Sequence, residues 1–180
     1  MYKPMRLFVN NYLKENVTKN DVVIDATIGN GNDTLLLANL SCFVYGFDIQ
    51  DEALTNTRTL LDSHNLTNYQ LIKDSHLNLF NYVTNFKGVV FNLGYLPKGN
   101  KAIHTNSLDT LKIVKSLVEH KDFPTFICLT CYVGHEEGQK ESELLLDYVN
   151  SLSNKYHVIK HLNEKSALAP FVIIIEKKED

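Results

Sequence analysis

Short β-branched and aromatic runs alternate with segments of helical period along almost the whole 180-residue chain, and that alternation limits the folds open to it. Strands are expected over residues 22–27, 42–48, 69–73, 88–92, 125–131, 156–161 and 171–176. Between them, residues 33–40, 51–64, 107–120 and 138–152 repeat apolar positions every three or four residues. Ala53, Thr57, Leu60, Leu61 and His64 share one face; Leu111, Val114, Leu117 and Val118 share another, as do Leu144, Leu145, Tyr148 and Leu152. Such repetition predicts an α/β fold with a mostly parallel sheet and helices on both faces. Only residues 162–170 separate the last two strands, too few for a parallel crossover, so these should pair as an antiparallel hairpin at one edge. With 44% hydrophobic residues and no linker or repeat, residues 1–180 are expected to form a single domain.

Lys and Arg total 18 against 21 Asp and Glu, a formal charge of −3, so no chain-wide basic field exists and a nucleic-acid partner would need a local patch. The longest apolar run, residues 171–175, is far too short for a membrane span. Residues 1–16 interleave Lys3, Arg6, Lys14 and Glu15 with apolar residues, unlike a signal peptide, and a cytoplasmic protein is expected. Cys128 and Cys131 match the C-x-x-C spacing of redox and zinc sites. On a strand, residues three apart face opposite ways, so buried core cysteines and no metal site are expected.

The strongest local signal is VVIDATIGNGNDT, residues 22–34: a buried strand, Gly29-Asn30-Gly31, then Asp33 or Thr34 as a helix N-cap. Glycines there let the backbone approach a ligand, and free N–H groups at the helix start favour a carboxylate or phosphate. A dinucleotide fingerprint would place a third small residue at position 34; Thr34 stands there and tilts the ligand from NAD towards S-adenosylmethionine. Asp48 ends the second strand, 17 residues after Gly31, where a carboxylate can accept both ribose hydroxyls. Helix capping is the alternative, although Asp51 is available for that. Asp74, opening Asp74-Ser75-His76, could take the adenine amino group or cap a helix. Asp25 sits inside the first strand, where burial is costly unless a ligand ammonium or sulfonium lies near.

The fourth strand runs into GVVFNLGYLPKGNK, residues 88–101. Asn92 and a neighbouring carbonyl can accept protons from an attacking amine and aim its lone pair at a methyl group, for which positioning matters more than activation. Tyr95 could stack on a planar base, or belong to a structural Gly-Pro turn. After the fifth strand, His135 would face the same crevice, where a neutral imidazole could accept a proton from a substrate ammonium. His104 is a weaker candidate, in the loop after the fourth strand.

Seven strands ending in a hairpin look like the class I S-adenosylmethionine-dependent methyltransferase variant of the Rossmann architecture. The motifs DATIGNGNDT, DIQ, DSH, FNLGYLPKGNK and YVGHEEG, then Asn163 and Ala169-Pro170-Phe171, resemble in order those of the YtqB/MnmM-like family of small bacterial methyltransferases, across residues 3–177. The resemblance implies an enzyme that uses S-adenosylmethionine to methylate the exocyclic amine of 5-aminomethyl-(2-thio)uridine at the tRNA wobble position, U34, giving the 5-methylaminomethyl product. Its partner would be a tRNA anticodon stem-loop. The chain departs from the family pattern after Leu-Pro, where Lys98 and Asn100 replace a Gly and an Asp, and at Ala169-Pro170, where the family has a proline pair.

The cofactor is then expected to meet Asp25, Thr27, Gly29, Asn30, Gly31, Asn32, Asp33 and Thr34; Asp48, Ile49 and Gln50; Asp74, Ser75 and His76; and Asn92. Substrate is expected at Leu93, Gly94, Tyr95, Lys98, Lys101, His104, Tyr132 and His135, with Asn92, Tyr95 and His135 catalytic. Lys98, Lys101, Lys112 and Lys115 follow the fourth strand and could bind RNA phosphates. A homodimer would extend that surface. Competing readings are an rRNA or small-amine methyltransferase, a non-catalytic nucleotide-binding module, and an NAD-dependent oxidoreductase.

Overall fold

The computed structural model describes residues 3–94, 107–120, 122, 124–134, 136–162 and 169–178. Seven strands form one sheet: β1 (Val22–Asp25), β2 (Phe43–Asp48), β3 (Tyr69–Lys73), β4 (Gly88–Asn92), β5 (Phe126–Cys131), β6 (Tyr156–His161) and β7 (Phe171–Lys177). Their order is β3-β2-β1-β4-β5-β7-β6, parallel from β3 to β5, with β7 antiparallel to both β5 and β6. The expected hairpin is therefore present, with β6 at the edge and β7 inside the sheet.

The buried strands match the apolar runs because β-branched residues tolerate the pleat and both sheet faces are covered. Every residue of β5 is buried, including Cys128 and Cys131, which are free thiols. Helices α1 (Lys3–Asn16), α2 (Asn32–Leu40) and α3 (Asp51–Ser63) pack side by side, and α4 (Ser107–Glu119) packs against α5 (Glu136–Ser151) and a short 3-10 turn, His76–Asn81.

α1 precedes the strand–helix alternation, and its own stripe of Met5, Val9, Tyr12 and Leu13 buries it. Three local details differ from the sequence expectations. Gly31, left-handed at φ 79°, caps α2, so Asp33 and Thr34 lie inside the first turn. Gln50 caps α3, and Asp51 is its first residue, paired with Lys73 at 2.7 Å. α5 buries Gly138, Glu141, Ser142, Leu145 and Val149 rather than the stripe through Leu144 and Tyr148, and His64 is exposed beyond α3.

β1 is the switch point: the chain moves outward through β2 and β3, then returns to β4 on the other flank of β1. In such sheets the crevice for a ligand opens at the carboxyl ends of the strands beside the reversal. Registers Asp25↔Gly46, Asp48↔Lys73 and Asn92↔Thr130 bring those ends to one edge.

Candidate active site

The turn after β1 is built around Asp25. Its carboxylate is fully buried, accepts the Thr34 hydroxyl at 2.6 Å, and accepts the Thr27 N–H at 3.2 Å. Burial, reinforced by the charge of Asp33, pushes its pKa up to about 7. Thr34, the departure from the dinucleotide fingerprint, thus supplies the hydroxyl that satisfies a buried acid.

Gly29 and Gly31 both take positive φ, 50° and 79°. A Cβ on Gly31 would lie 2.8 Å from Thr57 Oγ1 and 2.9 Å from Thr57 Cα, so this glycine is required by the approach of α3. Gly29 instead donates its N–H to Asp48 Oδ2 at 3.2 Å, while Gln50 donates to Asp48 Oδ1 at 3.0 Å. Burial raises the Asp48 pKa, and these backbone donors oppose the rise. Two N–H groups fix the carboxylate and leave lone pairs for a ligand's hydroxyls. Beside it, Ile49 is 55% exposed, an apolar surface at the crevice mouth. Asn30 accepts from Asn56 at 3.2 Å and is tied to α3.

Asp74 accepts the Ser75 N–H at 2.7 Å, Asn78 Nδ2 at 2.9 Å and the Tyr82 hydroxyl at 2.9 Å. The Asn78 and Tyr82 hydrogen bonds hold its pKa below the usual range. These partners are local, as in a capping residue, while Ser75 accepts from Leu77 at the start of the 3-10 turn. His76 packs edge-on against Phe91, 5.6 Å between centroids, and its Nε2 is buried with no partner among the described residues. Burial lowers its pKa and favours the neutral ring.

At the end of β4, Asn92 is held twice. Its backbone N–H donates to Thr27 Oγ1 at 2.7 Å, and its side-chain Nδ2 donates to Asp33 Oδ2 at 2.9 Å. Asp33 is only 9% exposed; burial raises its pKa, with the Asn92 hydrogen bond and the Arg6 charge pulling it back. The next residue, Leu93, is buried and donates its N–H to Thr130, so it offers the crevice backbone alone. Gly94, at φ 134°, lies beside the ring of Tyr132, 3.8 Å from where its Cβ would stand. Burial and the Asp33 charge push the Tyr132 phenol up to about 12.

Of the expected site residues, the structure gathers Asp25, Thr27, Gly29, Asp33, Asp48, Asn92, Gly94 and Tyr132 around the carboxyl ends of β1, β2, β4 and β5. Tyr95, Lys98, Lys101, His104 and His135 lie outside the described residues. Sequence reasoning missed the tie from Asp33 to Asn92, 59 residues apart, and the electrostatic reach of Arg6 from α1. A buried-strand Asp followed by another Asp and a Thr in one turn is the signal that could have suggested a shared polar network.

Comparison with known proteins agrees with this architecture. Residues 44–176 match the family described as "Putative rRNA methylase". A chloroplastic tRNA (mnm(5)s(2)U34)-methyltransferase of Arabidopsis thaliana is 34% identical over 91% of this chain, which spans 66% of that relative's length. The crystal structure described as a "putative rRNA-methylase" from Clostridium thermocellum is 35% identical, with TM-score 0.89 and 97% of each chain covered. That described as "a putative methyltransferase" from Streptococcus mutans, in complex with SAH, is 34% identical, with TM-score 0.88, covering 99% of this chain and 100% of the other. The strand order and terminal hairpin are those of class I methyltransferases.

Proposed function

Because the chain belongs to the family described as "Putative rRNA methylase", we propose that it is an S-adenosylmethionine-dependent methyltransferase that N-methylates 5-aminomethyl-(2-thio)uridine at the wobble position of tRNA. The observation that carries the reading is the pairing of two prepared groups at the switch point. Asp48, fixed by two backbone donors, suits a ribose, and Asn92, fixed by Thr27 and Asp33, suits an amine. The likeness to the wobble-uridine methyltransferase of Arabidopsis supports the choice of amine.

The fit to the cofactor rests on Asp48. S-adenosylmethionine carries ribose hydroxyls and two positive charges, and Asp48 is a half-buried carboxylate with lone pairs left over from its two backbone donors and no basic side chain among the described residues hydrogen-bonded to it. When bound, the cofactor supplies a methyl group on sulfur, a good leaving group. The protein's task is to present a neutral amine. The substrate ammonium first gives a proton to a base, for which His135 is proposed. The freed nitrogen pair forms the N–C bond as the C–S pair stays with sulfur, and the product leaves as a protonated secondary amine. Asn92 Oδ1 accepts an N–H of the amine and aims its lone pair.

For tRNA, the exposed Lys112 and Lys115 of α4, with Lys98 and Lys101, form the proposed phosphate surface, and a second subunit would enlarge it. Nucleoside mass spectrometry of tRNA from a strain lacking the gene tests the function. 5-Methylaminomethyl-(2-thio)uridine should disappear and its 5-aminomethyl precursor accumulate. Unchanged tRNA with a methyl group missing from rRNA would overturn the assignment.

A further inference from the structure

Asp33 lies in the first turn of α2, just after the glycine turn, where a cofactor contact is the ordinary expectation. Yet its side chain is tied to the end of β4: Asn92 Nδ2 donates to Asp33 Oδ2 at 2.9 Å. A carboxylate accepts hydrogen bonds and cannot donate them, so the amide rotamer that turns Oδ1 towards Asp33 would set oxygen against oxygen. The backbone at Asn92 is already fixed by its N–H bond to Thr27, so amide rotation is the remaining freedom. With Nδ2 held by Asp33, Oδ1 is left without a partner among the described residues.

We propose that Asp33 is a positioning residue for methyl transfer: it locks the Asn92 amide so that the carbonyl oxygen, and not the NH2 group, meets the acceptor amine. The proposal rests on Asn92 being the amine-orienting group. A neutral primary amine has two N–H bonds and one lone pair. An oxygen facing it accepts an N–H and leaves the pair free to attack, whereas an NH2 group would donate into the pair and block it. Arg6 from α1 is the charged side chain whose field reaches Asp33, and the charge of Asp33 in turn raises the pKa values of Asp25 from β1, Cys128 from β5 and Tyr132 just after it.

The test uses Asp33→Asn, which keeps the shape but can present either a donor or an acceptor, in a double-variant cycle with Asn92→Ala on 5-aminomethyluridine tRNA. Asp33→Asn should lower kcat about 10- to 100-fold while the calorimetric Kd for S-adenosylmethionine stays within threefold. In the Asn92→Ala background it should lower kcat no further. The Asn92 side-chain NH2 signals in a 15N spectrum, assigned by their loss in Asn92→Ala, should move in Asp33→Asn. Should that variant melt too low to assay, Asp33→Ser gives the same comparison. A kcat loss that multiplies in the double variant, or cofactor affinity falling in step with turnover, would overturn the proposal. Wild-type turnover by Asn92→Ala alone would instead remove Asn92, and with it the premise.

Discussion

Asp25, Asp33 and Asp48 all have pKa values raised by burial, Asp25 from an ordinary 3.8 to about 7. An acid with a raised folded pKa binds more protons in the native state than in the unfolded chain. The stability these acids contribute to the cofactor-free protein should therefore be fully present below about pH 4 and be lost as pH rises towards 7, a downward component in the slope of melting temperature against pH that the lowered pKa values of His76 and Asp74 oppose. Asp25→Asn, which can still accept from the Thr27 N–H and can donate to the Thr34 hydroxyl, should flatten that slope; an unchanged slope would remove Asp25 as its source. At Asp48 the expectation concerns affinity. Asp48→Asn should lose the proposed charge-assisted bonds to the ribose, about 1.5–3 kcal/mol each, so calorimetry should show at least roughly tenfold weaker cofactor binding. The acidic ends of β1 and β2 were legible because a carboxylate inside or closing an apolar run is conspicuous. The partners of Asp25 and Asp33 were not, since Thr34 read only as a departure from a fingerprint and the Asn92 contact is made by folding alone.

Between elements, α2 approaches α3 closely at Gly31. Gly31→Ala combines a left-handed backbone with a Cβ against Thr57, together about 2–4 kcal/mol, and should lower the melting temperature whether or not cofactor is present. A normal melting temperature with lost cofactor binding would return this glycine to the ligand. α4 and α5 are joined by the fully buried Thr110 hydroxyl, which donates to Glu141 Oε1 at 2.6 Å. Thr110→Val takes a partner from a buried carboxylate and should cost about 2 kcal/mol by urea denaturation, with Thr110→Ser closer to wild type. The strands were readable because period-two and continuous apolar runs respond directly to burial. α5 was misread in rotation because Gly138, Glu141 and Ser142 face inward, polar or small residues that a hydrophobic stripe does not count.

At the scale of the whole molecule, a net charge of −3 makes any RNA footprint local, and the exposed Lys112 and Lys115 of α4 are the described part of the proposed one. Changing Lys112 and Lys115 together to Glu should weaken tRNA binding and flatten its dependence on salt, with cofactor affinity unaltered; an undiminished salt slope would exclude them. The fold itself has a temporal side. β7 lies between β5 and β6 although it follows both in sequence, and Tyr12 of α1 donates at 2.7 Å to Glu176, 164 residues later. A ribosome therefore releases β5 with an open edge and α1 without its anchor, and neither defect heals until β7 inserts. Assembly cannot advance steadily from the N-terminus behind translation. The nascent chain keeps that unpaired edge until β7 emerges and closes the sheet from within.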